Sequence, residues 1–457
     1  MVIYPDLSDR AHGLRKMTRF AALLACLLGL EAVAWADISP NDLSISTFDP
    51  ENAVAPIATV EGSGVKVGDG TIIHPVFGLE TGYVSNVFYT DTNPQGAGLL
   101  RLLAQVGAGS LTADRLLPAS PDDTTPIEPS FDYRASLRAS YDMLVLGNDT
   151  IASTGGLGLG AQFRGLINPA GRWSFGFNED FTRIIRAANF ETDANTNRDI
   201  NGFGLNLLYH PQGAAFSGYA YYVNTIDVFE RNSQSFADRF QNQLGLHPQW
   251  RWLPETQLYA DISGGIFTGL GTSVKQSSIP FIGILGIQTL LTLHTTFSAY
   301  GGYDYSSYSA GPSVSSPVMG MNLGYRYSPL GRIALTYDWS FTDSINANYY
   351  RDHTIRLWWQ QMLQPVILMV QPEVHFREYD GVSTIVMGAP DTRSDVIFSV
   401  VAGVHVTFRN WIAATLDYHF TDVSTNYVYP TTGVGGTMQT NPGFVRHELL
   451  LGMRVAM

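Results

Sequence analysis

The sequence predicts an all-β fold, a transmembrane antiparallel up-and-down β-barrel of about 18 strands. Three observations predict it. Charged residues make up 15% of the 457-residue chain, while aromatics reach 12% and glycine contributes 45 residues. That charge fraction lies well below the ~25% usual in soluble domains. Beyond the N-terminus no apolar run is long enough to cross a membrane as a helix. Apolar and polar residues instead alternate with period two, in segments of about ten residues.

The N-terminal 36 residues read as a signal peptide. Arg15, Lys16 and Arg19 form a basic region, Phe20 to Leu30 an apolar core, and Ala34-Trp35-Ala36 a small-residue cleavage site. A rival reading takes Leu23-Leu24-Ala25-Cys26 as a lipoprotein box, but the apolar core before Cys26 would be too short. Cleavage after Ala36 removes the single cysteine, so no disulfide is expected. Residues 37–70 are polar, carry Pro40, Pro50 and Pro56, and read as a periplasmic leader too short for a large folded plug. The barrel occupies 71–457.

The segment Phe131 to Tyr141 shows the alternation most plainly. Phe131, Tyr133, Ala135, Leu137, Ala139 and Tyr141 share one face, and Asp132, Arg134, Ser136, Arg138 and Ser140 the other. A helix would scatter these residues around its circumference, whereas a strand between lipid and a polar lumen sorts them. The pattern predicts strands at 71–83, 99–109, 131–144, 152–166, 172–182, 199–210, 214–225, 239–252 and 257–267. It continues at 279–290, 295–305, 317–328, 332–341, 352–362, 366–378, 394–408, 411–420 and 444–457. Segments 99–109, 279–290 and 366–378 are the weakest, being apolar on both faces for part of their length.

Connection lengths alternate as well. Short turns such as Asn168-Pro169-Ala170-Gly171 and Pro329-Leu330-Gly331 separate longer polar loops at 183–198, 227–238, 268–277, 306–316, 342–351, 380–393 and 421–443. Outer-membrane barrels have short periplasmic turns and long external loops, so both barrel ends are expected on the periplasmic side. The segment 110–129 departs from this rule and reads as an elongated periplasmic connection. Aromatics near the short turns read as an interfacial girdle: Trp173, Tyr209, Phe216, Trp250, Trp252, Tyr259, Tyr327, Trp358, Trp359, Phe408 and Trp411. Tyr219, Tyr221, Tyr259, Tyr300 and Trp358 are candidates to point inward.

The inward face carries the candidate functional residues. Arg134, Arg138, Arg164, Arg251, Arg326, Arg356 and Arg377, with Arg446 and Arg454, stand against Asp132, Asp261, Asp338 and Asp417, with Asp304, Glu373 and Glu448. They can select solutes as a charged pore lining, or brace the lumen as ion pairs. His247, His375 and His419 fall on the same face and read as solvated lumen residues. No metal site, cofactor or catalytic set is expected. Gly155 to Gly160 imitates a nucleotide loop but lies within an alternating strand. Residues 188–198 carry spaced acids and amides without the glycine and terminal Glu of a calcium loop. The net charge of −13 argues against a nucleic-acid partner.

Two motifs add a resemblance. The chain ends Gly452-Met453-Arg454-Val455-Ala456-Met457, where Gly452, Val455 and Met457 resemble the terminal strand read by the barrel-assembly machinery. Leu450 stands where a polar residue is usual, and Met457 where Phe or Trp is common. Residues Gly78, Tyr83, Asn86, Val87 and Phe88 resemble the opening motif of the second group of the β-barrel porin family. Members of that group are often encoded with exopolysaccharide export systems. The resemblance implies a pore in the bacterial outer membrane for exported polysaccharide. It implies partners in outer-membrane lipid, the assembly machinery and periplasmic export components. A general porin for small solutes, or a closed barrel displaying its loops, are the alternatives.

Overall fold

The computed structural model describes residues 63–68, 70–110, 130–185, 197–230, 232–271, 273, 276–345, 347–382, 391–433 and 436–457. Residues 1–36, read as a signal peptide, residues 37–62 of the expected leader, the connection 111–129 and most of the loop 188–198 lie outside these residues.

Eighteen strands form the barrel. The first nine are β1 (Thr71–Val84), β2 (Ala97–Ser110), β3 (Phe131–Val145), β4 (Gly156–Ile167), β5 (Trp173–Ile184), β6 (Arg198–Tyr209), β7 (Phe216–Phe229), β8 (Arg239–Leu253) and β9 (Thr256–Gly269). The rest are β10 (Ser278–Thr292), β11 (Thr295–Tyr308), β12 (Val314–Ser328), β13 (Gly331–Asp343), β14 (Tyr349–Leu363), β15 (Val366–Asp380), β16 (Thr392–Arg409), β17 (Ile412–Thr425) and β18 (Phe444–Ala456). Each pairs antiparallel with its sequence neighbours, and β1 closes on β18 through Val76↔Ala456 to Val84↔Glu448. A short strand, Val65–Val67, folds back on the start of β1.

Closure satisfies the backbone of every strand without leaving an edge, which is what a bilayer demands. The side chains confirm which way the wall faces. Leu137, Leu157, Leu207, Leu246, Leu285 and Leu451 are exposed, all on the outside. Trp173, Phe216, Trp250, Trp252, Phe408 and Trp411 are exposed near the short-turn rim. A closed barrel with an apolar exterior and an aromatic girdle is a protein of the bacterial outer membrane. Tyr259 and Trp358 depart from the girdle, because strand parity turns both inward.

Three strands that are apolar on both faces are full members of the wall. Inside, Leu99 packs with Val84, Leu144 and Leu450, and Ile282 and Ile284 pack with Val318 beside Tyr259 and Tyr300. The inner apolar residues of β2 and β10 named here thus meet protein rather than water, while Ile367 and Met369 on the inner face of β15 stay half-buried. Strand ends shift where loops carry their own structure. Strand β4 starts at Gly156, not 152, because Asp149–Ala152 forms a helical turn capped by Asn148, which accepts from the Ile151 N–H at 2.9 Å. Strands β14 and β16 begin at Tyr349 and Thr392, and β17 runs on to Thr425. The loop after β17 holds a hairpin of Tyr429–Gly433 with Gly436–Thr440.

Candidate pore lining

The inner face divides into three zones. At the long-loop end, loops fold inward onto the wall. The stretch from Gly78 to Phe88 and the residue after it build much of this zone. Asn86 is fully buried; its amide donates to the Thr90 and Val445 carbonyls and its oxygen accepts from the Thr90 N–H. Val87 joins the apolar cluster of Val84, Leu99 and Ile151, and Phe88 packs on it. The turned loop sets Tyr89 against Ile397, Val423 and Phe444, with the Arg446 guanidinium 4.3 Å from its ring centre. Gly78 leaves room for Arg454, whose Cδ would stand 3.0 Å from an added Cβ. Asp238, in the loop before β8, accepts from the Phe229 N–H at 2.8 Å; burial still raises its carboxyl above the usual aspartate range.

Below these loops, one sector holds a belt of buried ion pairs. Arg356 grips Glu373 at 2.6 and 2.9 Å. Arg377 and His375 both meet Asp352 at 2.8 Å, and Arg377 lies 4.1 Å from the Tyr350 ring centre. His405 pairs with Asp417 at 2.8 Å, and Arg446 with Glu448. Arg101 joins Asp142 at 2.6 Å and Glu80 at 3.3 Å, and Glu80 also holds Arg454. Arg393 and Asp395 form a fully buried pair. Arg356, Arg377 and Asp417 are therefore each ion-paired to a neighbouring strand. The histidines correct the sequence reading. His375 and His419 are buried and His247 is half-buried, each beside a carboxylate, because the register of neighbouring strands places an acid next to each ring.

The opposite sector is aromatic. Tyr219, His247 and Tyr259 stack across three adjacent strands, with ring centres 4.7 and 5.2 Å apart and planes within 19°. Asp261 fixes the stack, accepting from Tyr221 Oη at 2.9 Å and meeting His247 Nδ1 at 2.8 Å. Two strands on, Tyr300 of β11 donates from its Oη to Asp338 of β13. Tyr221, Tyr259 and Tyr300 each lie against a glycine of the next strand. An added Cβ at Gly245, Gly286 or Gly320 would approach the rings of Tyr221, Tyr259 and Tyr300 to 2.1, 2.2 and 2.3 Å. The missing side chains are the seats of the rings.

The third zone is basic. Arg134, Arg164, Arg251 and Arg326 lie on inner-face positions, exposed, within the last few residues before the short-turn rim. Arg134 and Arg164 are direct cross-strand partners. Arg138, also exposed, lies a turn of chain deeper over Gly160. Arg332 joins the zone by cation–π contact with Trp358 at 4.4 Å. Asp132 stands among them and accepts from Ser110 Oγ. The sequence reading overlooked Arg101, Glu80, Asp142 and the Arg393–Asp395 pair. Parity on β2 would have found Arg101, and the two-residue spacing of Arg393 and Asp395 puts both on one face. Among the described residues no group of three or more His, Cys, Asp and Glu is placed to hold a metal ion.

No family model matches the chain, and no curated protein does. Solved outer-membrane barrels are similar at a distance. OccK1 (OpdK) of Pseudomonas aeruginosa shares 9% identity over 84% of this chain and 99% of that one, with TM-score 0.45. OccAB4 of Acinetobacter baumannii shares 10% over 88% and 100%, with TM-score 0.43. OccK2 (OpdF) of P. aeruginosa shares 10% over 84% and 98%, with TM-score 0.43. The closed register described above stands independently of these likenesses.

Proposed function

We propose that this outer-membrane barrel is a channel that carries an exported polysaccharide from the periplasm to the cell surface. The observation that supports this best is the flat stack of Tyr219, His247 and Tyr259 on the inner wall. Aromatic faces with a few placed polar groups suit sugar rings, which offer apolar C–H faces and hydroxyl edges. An extended ladder suits a polymer better than a single small solute. The exposed arginines at the short-turn rim, periplasmic in such barrels, would draw acidic groups toward the entrance. Those arginines taken alone favour a second reading, a general porin for small anions.

Single-channel recording in planar bilayers tests the proposal. Soluble oligosaccharides should interrupt the current, and Tyr219→Ala with Tyr259→Ala should shorten the interruptions. Deleting the gene should remove a surface polysaccharide and leave uptake of small nutrients unchanged. Intact surface polysaccharide with slowed uptake would favour the general porin, and absence of any conductance would favour a closed barrel.

A further inference from the structure

The chain joins the barrel wall at Gly64. Its N–H donates to the Met457 carbonyl at 3.0 Å. Val65–Val67 then runs antiparallel to the start of β1, from Ile73 to Thr71. The residues before Gly64 are therefore delivered to the short-turn rim, at the seam of β1 and β18. Gly64 has φ 71°, and an added Cβ would stand 2.5 Å from the His74 ring and 2.8 Å from Ile72. Phe77 and Leu79 are exposed outside while Val76 and Glu80 are buried inside, so strand parity puts Ile72 and His74 on the inner face. The backbone at Gly64 thus lies against inner-face side chains.

From there the register leads to the basic zone. Ile72 pairs with Gly109, and Gly109 with Arg134. His74 pairs with Gly107, and Gly107 with Ser136. The two glycines leave this lane of the inner wall low; a Cβ added at Gly107 would meet nothing closer than the His74 carbonyl at 3.9 Å. At ~4.8 Å per strand, Arg134 stands roughly 10 Å from Ile72. Arg134 and Arg138 are exposed and make no side-chain hydrogen bond or ion pair among the described residues. The acid beside them, Asp132, accepts from Ser110 Oγ instead.

The segment that precedes Gly64 carries the opposite charge. Residues 48–62 include Asp49, Glu51 and Glu61 and no Lys, Arg or His. Glu61 lies three residues before Gly64, a reach of roughly 10 Å of extended chain, which matches the distance to Arg134. We propose that residues 48–62 dock on this lane of the inner wall, with their carboxylates against Arg134 and Arg138. Attachment at Gly64 holds the segment over the lane at an effective concentration on the order of millimolar. Exposed ion pairs too weak to retain a free peptide then suffice. The docked segment covers guanidinium groups that an acidic group arriving from the periplasm would otherwise meet, so such a group must displace it. That consequence rests on the channel reading; the docking itself does not.

Cysteine cross-linking of the full chain in outer membranes tests it, in a Cys26→Ser background and without any need for conductance. Val60→Cys with Ser136→Cys keeps every charge and should form a disulfide within the chain, read as the loss of both free thiols to a labelling reagent. Val60→Cys with Ser298→Cys, on the inner face of β11 across the lumen, should not. Adding Arg134→Gln and Arg138→Gln should slow the bond about tenfold, as should raising KCl from ~0.1 to ~1 M. Equal bonding to Ser136→Cys and Ser298→Cys, or no bonding to either, would overturn the proposal. So would a rate indifferent to both the arginines and the salt, which is what attachment at Gly64 alone would give. If the arginine variant fails to fold, the salt dependence decides.

Discussion

Leu137 and Arg138 are adjacent in β3 and face opposite solvents, so exchanging their characters tests the barrel directly. Leu137 is 57% exposed on the outer face, with Val106 and Ala161 as its cross-strand partners. It lies six residues from Phe131, which at ~3.3 Å per residue and ~40° tilt is roughly 15 Å into the apolar band. Leu137→Arg places a guanidinium in hydrocarbon at that depth and should destabilise the barrel by about 2–4 kcal/mol. Arg138 lies on the inner face, its Nε 3.4 Å from where a Cβ on Gly160 would stand. Arg138→Leu removes no ion pair recorded among the described residues, so folding should be nearly unchanged. In an open channel the ion preference should move toward cations. The assay is urea-dependent folding into vesicles, read from the gel shift between boiled and unboiled samples. A lower midpoint for Leu137→Arg with an unchanged slope is the expected result. Should Arg138→Leu unfold the barrel while Leu137→Arg is silent, the strand is inverted and every face assignment fails with it.

Three further outcomes follow from particular contacts. Arg393→Met strands the fully buried Asp395 carboxylate and should cost about 3–5 kcal/mol in the same folding assay; adding Asp395→Leu should recover most of that loss. Gly286→Val drives a side chain into the Tyr259 ring and should cost about 1–3 kcal/mol, relieved by Tyr259→Ala; no loss would mean the ring does not lie on that glycine. Replacing Arg134, Arg251 and Arg326 together by Gln should weaken any anion preference in reversal-potential measurements. The wild-type preference should itself fade between 0.1 and 1 M KCl, as the screening length drops from ~10 to ~3 Å.

The sequence by itself determined the barrel. Period-two alternation is a local property, set by the pleat and by the different solvents on the two sides of the wall. Strands such as Phe131–Val145 and Val314–Ser328 could therefore be read one at a time, and their number follows from the turns between them. Alternation also placed Arg134, Arg356, Asp261 and Asp417 on the inner face, though Arg101, Asp142 and the Arg393–Asp395 pair were passed over. It could not say which inner charges meet. Glu80 and Arg454 are 374 residues apart and touch only because β1 closes on β18. Asp352 finds Arg377 and His375 through the register of β14 on β15, and the same kind of register seats Tyr259 on Gly286. These partnerships bury His375 and His419, half-bury His247, and divide a uniform list of charges into a sector of ion pairs and an exposed rim. They depend on where strands lie side by side, and a one-residue slip would turn every inner side chain outward.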